Sequence, residues 1–179
     1  MMETSGLSQE AKLIKSNLEK YPFIKKFLGK LINQRLRIEC FAHGMLTANL
    51  LELNETNKLN LAKLECVLKL GESCCKGFKQ IFQDKKRLSK QSEIADGQII
   101  DILAEVRAFE FLYSQDFKDI ADIKRVAGAR TVDFTAQRNN EKYAAEVTRL
   151  GLAQSEEKQP VHMHETDSIR YIKCEDANG

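Results

Sequence analysis

Three acidic residues in the C-terminal half of the chain occur in an order that suits the binding of a metal ion. Glu105 lies in a long apolar run, whereas Asp133 and Glu146 lie in two short runs that are typical of β-strands. Carboxylates are hard oxygen ligands, and Mg²⁺ is usually bound through one or two of them together with water and phosphate oxygens. A helix glutamate beside two strand carboxylates therefore predicts a Mg²⁺ site.

The alternation of side chains along the two strands bears on this prediction. Successive side chains of a strand point to opposite faces of the sheet. The Asp133 side chain therefore points away from the face of Phe134, and the Glu146 side chain points away from the face of Val147. If the apolar faces of the strands coincide, the two carboxylates share a face, on strands roughly 4.8 Å apart. The alternative is a half-exposed hairpin whose outer face is merely polar.

The elements that must position these carboxylates are a helix and a small sheet. Residues 98–115 are apolar almost all round, which predicts a largely buried helix. A first strand is predicted within 119–126, and two further strands flank a turn at 139–140. The pattern thus predicts a helix followed by a three-stranded meander, with one more short strand at 168–173.

The N-terminal half reads as four or five helices. Pro22 suits the first turn of a helix, because its missing N–H would have no partner there in any case. Breaks between helices are predicted at 54–57 and 71–73, with Asn57 and Ser73 as candidate caps.

These elements predict an α/β protein with three segments. Residues 1–95 form a basic helical domain, 96–152 an α/β core, and 153–179 a polar tail with a short strand. The polar stretch 89–97 is the predicted boundary between the first two.

Charge is divided unevenly between the two halves of the chain. Residues 1–95 contain 17 Lys and Arg against 10 Asp and Glu, whereas residues 96–179 contain 11 against 16. The basic half is therefore the better candidate for binding a polyanion such as DNA, next to an acidic metal-binding half. Two alternatives stay open: the halves attract each other, or the basic run 85–87 is simply a solvated helix end.

Composition limits the class of protein. The chain is 42% hydrophobic and 30% charged, as in ordinary globular proteins, and charges interrupt its apolar stretches well before membrane-spanning length. No secretory signal pattern opens the sequence. The five cysteines are an odd number without regular spacing, which indicates reduced thiols. We therefore expect a soluble cytoplasmic protein that does not associate with membranes.

Three stretches together resemble the PD-(D/E)XK, or restriction-endonuclease-like, nuclease superfamily over about residues 98–152. E-V-R-A at 105–108 resembles the first core helix of that family, and T-V-D-F at 131–134 resembles its T-P-D-F strand. Y-A-A-E-V-T-R at 143–149 resembles its Y-x-x-E-V-K strand, with Thr148 in place of the motif lysine. The chain is thus similar to a degenerate member of the superfamily.

The resemblance implies hydrolysis of phosphodiester bonds in DNA. Asp133 and Glu146 would bind Mg²⁺ or Mn²⁺, Glu105 would support the metal or a metal-bound water, and Thr148 would occupy the fourth catalytic position. A hydroxyl there can form a hydrogen bond but cannot supply the positive charge of lysine. The alternative is a non-catalytic interaction or nucleic-acid-binding protein on the same scaffold.

Other cations could take the place of the lysine. Lys142 has the same parity as Glu146 but lies roughly 13 Å away along an extended strand. Arg107 and Arg130 are the other candidates, whereas Arg149 has the opposite parity.

The segment after the third strand is short for the family. Only the 30 residues 150–179 follow, where the family core continues with another helix and strand, so the core is expected to be partial and truncated. A sheet that lacks its last strand exposes an edge, which predicts a second copy or a partner chain that completes it.

Overall fold

The computed structural model describes residues 9–36, 45–83, 92–123, 132–149 and 167–173. Within these ranges the side chains of residues 45, 92–96, 148–149 and 167–173 are not described. The predicted basic run 85–87 and the candidate cation Arg130 lie outside the described residues.

The N-terminal part is helical, as the sequence predicted. We call α1 to α5 the helical region. Its helices are α1 (Gln9–Leu18), α2 (Pro22–Arg35), α3 (Met45–Leu51), α4 (Glu55–Cys74) and α5 (Gln80–Gln83). Pro22 occupies the first turn of α2, which confirms that prediction.

The N-terminus of α2 is capped by a side chain from another helix. Tyr21 at the N-cap position provides no side-chain hydrogen bond. Glu65 of α4 does so instead, because its Oε1 accepts from the Phe23 N–H at 2.7 Å and its Oε2 accepts from the Ile24 N–H at 2.8 Å. A carboxylate also interacts favourably with the partial positive charge of a helix N-terminus. Glu65 therefore joins α4 to α2.

Both predicted helix caps, Asn57 and Ser73, were wrong. Asn54 is the N-cap of α4, and its side-chain oxygen accepts from the Asn57 N–H at 2.8 Å, so Asn57 lies inside the first turn. Ser73 lies within α4, where its hydroxyl donates to the Lys69 carbonyl at 3.1 Å. The predicted break at 71–73 is also wrong, since α4 continues to Cys74.

Packing explains why a glycine is found inside α4. A Cβ atom at Gly71 would lie 2.3 Å from ring atoms of Phe78. Phe78 is itself buried among three aromatic rings, those of Phe27, Phe82 and Phe109, with centroids 5.3 to 5.7 Å away. Gly71 therefore makes room for an aromatic cluster that joins α2, α5 and the following helix.

The C-terminal part consists of one long helix and a four-stranded sheet. Its elements are α6 (Ser92–Ser114), β1 (Lys118–Asp122), β2 (Phe134–Arg138), β3 (Glu141–Arg149) and β4 (Asp167–Lys173). The strands pair antiparallel in the order β1-β2-β3-β4. The predicted α/β class, with a helical region followed by a helix and a meander, is confirmed, and the short strand predicted at 168–173 adds the fourth strand.

The hairpin between β2 and β3 turns at Asn139 and Asn140, as predicted. Both residues have positive φ, 53° and 64°, which is the conformation that a two-residue type I′ turn requires and that asparagine tolerates. This turn sets the register, in which Phe134 pairs with Ala145 and Thr135 with Ala144. Phe134 and Ala145 are both buried, so this face of the hairpin belongs to the core.

Helix α6 lies between the helical region and the sheet. It contacts α2, α4 and α5 as well as β1 and β3. Its buried apolar residues lie on several sides, as predicted for a largely buried helix, and include Ile102, Leu103, Ala104 and Ala108. No helix in the described ranges is long and apolar enough to cross a membrane.

The segment between α4 and α5 covers one edge of the sheet. The Lys76 N–H donates to the Ile120 carbonyl and the Asp122 N–H donates to the Lys76 carbonyl, each at 2.9 Å. Lys76 thereby forms a single parallel bridge with Ala121 of β1. Such cover protects an edge strand from pairing with another chain.

Candidate functional site

Glu105 is buried in α6. Its neighbours Ala104 and Val106 are buried as well, and Glu105 itself is only 7% exposed. A carboxylate is rarely buried in a protein without an interaction that compensates the loss of water. Glu105 therefore lies on a helix, as predicted, and its side chain is buried there.

Asp133 lies one residue before β2, not within a strand as the sequence pattern suggested. Its backbone is nevertheless bonded on both sides: its N–H donates to the Ala145 carbonyl at 3.0 Å, and its carbonyl accepts from the Ile123 N–H at 2.9 Å. The side chain is 6% exposed. Asp133 thus occupies a fixed position between β1 and β3.

The Asp133 carboxylate bonds to the backbone of the neighbouring strand. Its Oδ2 accepts from the Val147 N–H at 2.7 Å, a short distance typical of a charged acceptor. The Val147 N–H would otherwise need a carbonyl acceptor from the adjacent strand, so the side chain replaces a rung of the ladder. Strand β2 begins only at Phe134 because this irregularity precedes it.

Glu146 lies beside this contact, one residue before Val147. It is part of β3, opposite Arg170 in the register with β4, and its side chain is exposed. The hairpin therefore brings an Asp133 oxygen to the backbone of a residue adjacent to Glu146, although 13 positions separate the two acids. The prediction that both carboxylates share one face assumes that the side-chain alternation of β2 continues back to Asp133. In the structure Asp133 lies one residue before β2, where its side chain bonds to the backbone of β3.

The backbone of Thr148 is part of β3, where it pairs with Ser168. Of the cations considered as substitutes for the motif lysine, Lys142 is exposed at the other end of β3, opposite Gln137. Arg107 lines a cleft between α3, α4 and α6. It is displaced from Glu105 by two helix positions, about 200° around the helix axis. Arg107 is therefore directed towards the helical region.

The donor chemistry of Asp133 and Glu146 suits a hard divalent cation. Mg²⁺ is commonly held by two carboxylates, with water and substrate phosphate as its other ligands. In the described ranges, no three acidic, histidine or cysteine side chains form a group that could hold a metal ion. Asp133 and Glu146 are the residues that would hold a metal ion here.

The cysteines of the described part are free thiols. Cys66 and Cys74 are exposed, and Cys75 is buried. Burial raises the pKa of the Cys75 thiol to about 12, so this thiol stays protonated at neutral pH. Its weak hydrogen bond to the Lys76 carbonyl belongs to the segment that covers β1, and it takes no part in the carboxylate site.

Two side chains that position the helices, one carboxylate and one amide, were not identified from the sequence. One is Glu65 at the N-terminus of α2. The other is Asn17, whose buried side-chain amide donates to the Leu50 carbonyl at 2.8 Å and joins α1 to α3. Each contact links residues more than 30 positions apart, so no local pattern could have indicated its partner.

Comparisons of the chain with protein-family models, with curated proteins and with solved structures find no match.

Proposed function

We propose that this chain is a metal-dependent nuclease of the restriction-endonuclease-like type, which hydrolyses phosphodiester bonds of DNA. The observation that carries the proposal is the contact between the Asp133 carboxylate and the Val147 N–H, which places one acidic residue against the strand that contains the other. The helix that contacts this strand contains a buried glutamate, Glu105. This combination supports the family resemblance of the sequence.

Each residue of the site has a proposed role. Asp133 and Glu146 would hold Mg²⁺ or Mn²⁺, which would supply a nucleophile from water and neutralise charge on the phosphate. Glu105 supports the site from α6. Thr148 would occupy the position of the motif lysine, where a hydroxyl can form a hydrogen bond but cannot supply the positive charge that a lysine would place near the transition state. We therefore expect slow cleavage compared with a site that has the lysine.

A second candidate function is favoured by the same hydrogen bond. One oxygen of Asp133 already holds the hairpin together, as a structural carboxylate would. Since Thr148 also replaces the lysine, the scaffold would then serve as a non-catalytic interaction or nucleic-acid-binding protein. On this view Glu146 is an exposed surface residue and its replacement has no effect on function.

Plasmid cleavage in Mg²⁺ or Mn²⁺ decides between the two. The nuclease proposal predicts that the wild type nicks supercoiled DNA and that Glu146→Gln lowers the rate roughly 100-fold or more, since it removes a metal ligand. Glu52→Gln, an exposed carboxylate at the end of α3, serves as the matched control and should retain the wild-type rate.

Thr148→Lys restores the family pattern and should raise the rate by roughly tenfold to 100-fold, because it supplies charge where negative charge develops. The non-catalytic alternative predicts no metal-dependent cleavage by either the wild type or Thr148→Lys. Equal cleavage by the wild type and Glu146→Gln would exclude the proposed site.

A further inference from the structure

A groove between α1 and α2 concentrates positive charge. It has a volume of about 590 Å³ and is lined by three lysines, Lys15, Lys25 and Lys30, together with the amides of Asn33 and Gln34. We call this surface the lysine groove. Its lining contains one carboxylate, that of Glu19.

Local sequence explains how the groove forms. Helices α1 and α2 are joined by only three residues, 19–21, so they pack as a close pair. Gly29 is buried between them, and a Cβ atom there would lie 3.8 Å from a Leu18 methyl group. This is an ordinary contact distance, so the two helices pack closely at this point, and the lysines extend from both helices at the rim.

The charge of the groove is one-sided. Helix α2 contains no acidic residue, and Lys25 and Lys30 both project from it. Glu19 pairs with Lys25 at 2.5 Å, where both side chains are more than half exposed, so this ion pair is open to competition from another anion. Lys15 and Lys30 add two further cations.

The N-terminus of α2 is not the source of this positive potential. Its first free N–H groups, those of Phe23 and Ile24, are already bonded to the Glu65 carboxylate. An anion would therefore be bound by the lysine ammonium groups and the two amides. These groups are the common protein partners of phosphate oxygens in nucleic-acid complexes.

We propose that the lysine groove binds the sugar–phosphate backbone of DNA. The choice of DNA rests on the proposed nuclease function, whereas the affinity for a polyphosphate backbone rests on the groove itself. Among its lining residues no aromatic side chain offers a surface for base stacking, so recognition depends on phosphates and is independent of base sequence.

The test is fluorescence anisotropy of a labelled DNA duplex in EDTA, at several salt concentrations, so that binding is measured without cleavage. The triple variant Lys15→Gln, Lys25→Gln, Lys30→Gln should bind roughly tenfold or more weakly at about 0.1 M salt, and the slope of log Kd against log salt should fall by about three.

The matched control removes the same charge elsewhere. Lys63, Lys69 and Lys118 are all exposed and lie outside the groove, and their replacement by glutamine should change the affinity less than about threefold. Thermal melts confirm that both triple variants are folded. Equal weakening by the two triple variants, or no binding of DNA by the wild type, would overturn the proposal.

A variant that should strengthen DNA binding distinguishes an effect on binding from a loss of folding. Glu19→Gln removes the one carboxylate of the groove and frees Lys25, so DNA should bind a few-fold more tightly. Glu55→Gln is its control, because Glu55 pairs with Lys58 in a comparable exposed position outside the groove. Unchanged or weaker binding by Glu19→Gln would count against the groove.

The two proposals can fail separately. If the groove variants behave as expected while the wild type cuts no plasmid, the nuclease proposal is wrong and the groove proposal stands. If plasmid is cut through Glu146 while the groove and control variants bind DNA equally, the groove proposal alone is wrong.

Discussion

The N-terminus of α2 and the start of β2 each depend on a carboxylate that accepts hydrogen bonds from the backbone of another segment. Glu65, in the helical region, accepts from the Phe23 N–H with one carboxylate oxygen and from the Ile24 N–H with the other. The Oδ2 atom of Asp133 accepts from the Val147 N–H, and Val147 is next to Glu146, the second acid of the predicted metal site. The same physical interaction thus occurs once with no motif around it and once in a stretch that resembles a nuclease motif.

The comparison shows that burial of a carboxylate alone does not indicate a metal site. A side chain that holds backbone N–H groups explains its own burial without any chemistry, and Glu65 needs no further explanation. Asp133 performs this structural task in a setting where Glu146 and the helix with Glu105 are also present. The claim of a metal site therefore depends on Glu146, whose side chain is exposed.

The largest effect is expected at Glu65. Glu65→Ala leaves two backbone N–H groups of α2 without their charged acceptor, and we expect a loss of about 2 to 3 kcal/mol in the free energy of unfolding. Urea denaturation measures it, with Glu52→Ala as an exposed control that should stay within about 0.5 kcal/mol of wild type. A loss at Glu65 no greater than that of the control would show that the cap contributes nothing.

The packing of the helical region can be tested with two glycines. Gly71→Ala places a methyl group against the Phe78 ring, and we expect a loss of about 2 kcal/mol from overpacking. Gly29→Ala meets its neighbours at 3.6 Å and 3.8 Å, which is ordinary contact. It should therefore stabilise α2 by up to about 1 kcal/mol, because alanine favours helix more than glycine does. Thermal melts that rank the two variants in the opposite order would contradict this packing.

Replacement of the two acids of the candidate site should affect the free energy of unfolding differently but should abolish metal binding in both cases. Asp133→Ala removes the acceptor of the Val147 N–H and should cost about 1.5 kcal/mol, whereas the exposed Glu146→Ala should cost less than about 0.5 kcal/mol. Mg²⁺ should raise the Tm of the wild type and of neither variant, since a ligand stabilises only the state that binds it. A Tm increase that survives Glu146→Ala would place the metal elsewhere.

The smallest effect concerns the hairpin that supports the site. Asn140→Gly replaces an L-residue at φ 64° with the residue that type I′ turns favour at their second position, and we expect a gain of about 0.5 kcal/mol. Asn140→Ala should instead lose about 1 kcal/mol, because alanine has no polar side chain to stabilise a left-handed backbone. Chemical denaturation measures both, and a loss for the glycine variant would contradict the turn assignment.

Local chemistry made much of the fold predictable. Pro22, the asparagine pair 139–140 and the apolar helix each depend on rules that act within a few residues. The predicted break at 71–73 failed because glycine usually interrupts helices, whereas here a ring from the following segment requires its missing side chain. Such a requirement is set by tertiary packing and is invisible in the local sequence.

The candidate site was predictable in part. Its residues and their order along the chain could be read from the sequence, as could the strand that contains Glu146. The bond from Val147 to Asp133 could not, because it depends on the point at which β2 joins the ladder. The largely buried helix followed from a run that is apolar on nearly every side, and this prediction was correct. The burial of Glu105 itself could not be read from that run.

The most direct test of the metal site is a Mn²⁺ titration followed by amide NMR spectra of the wild type and Glu146→Gln. A paramagnetic ion broadens the signals of nearby nuclei, so its position can be read from the residues affected. We predict selective broadening of the Asp133, Glu146 and Val147 amides in the wild type and its loss in Glu146→Gln. Broadening that is centred elsewhere, or that persists unchanged in Glu146→Gln, would contradict the metal site and with it the proposed nuclease.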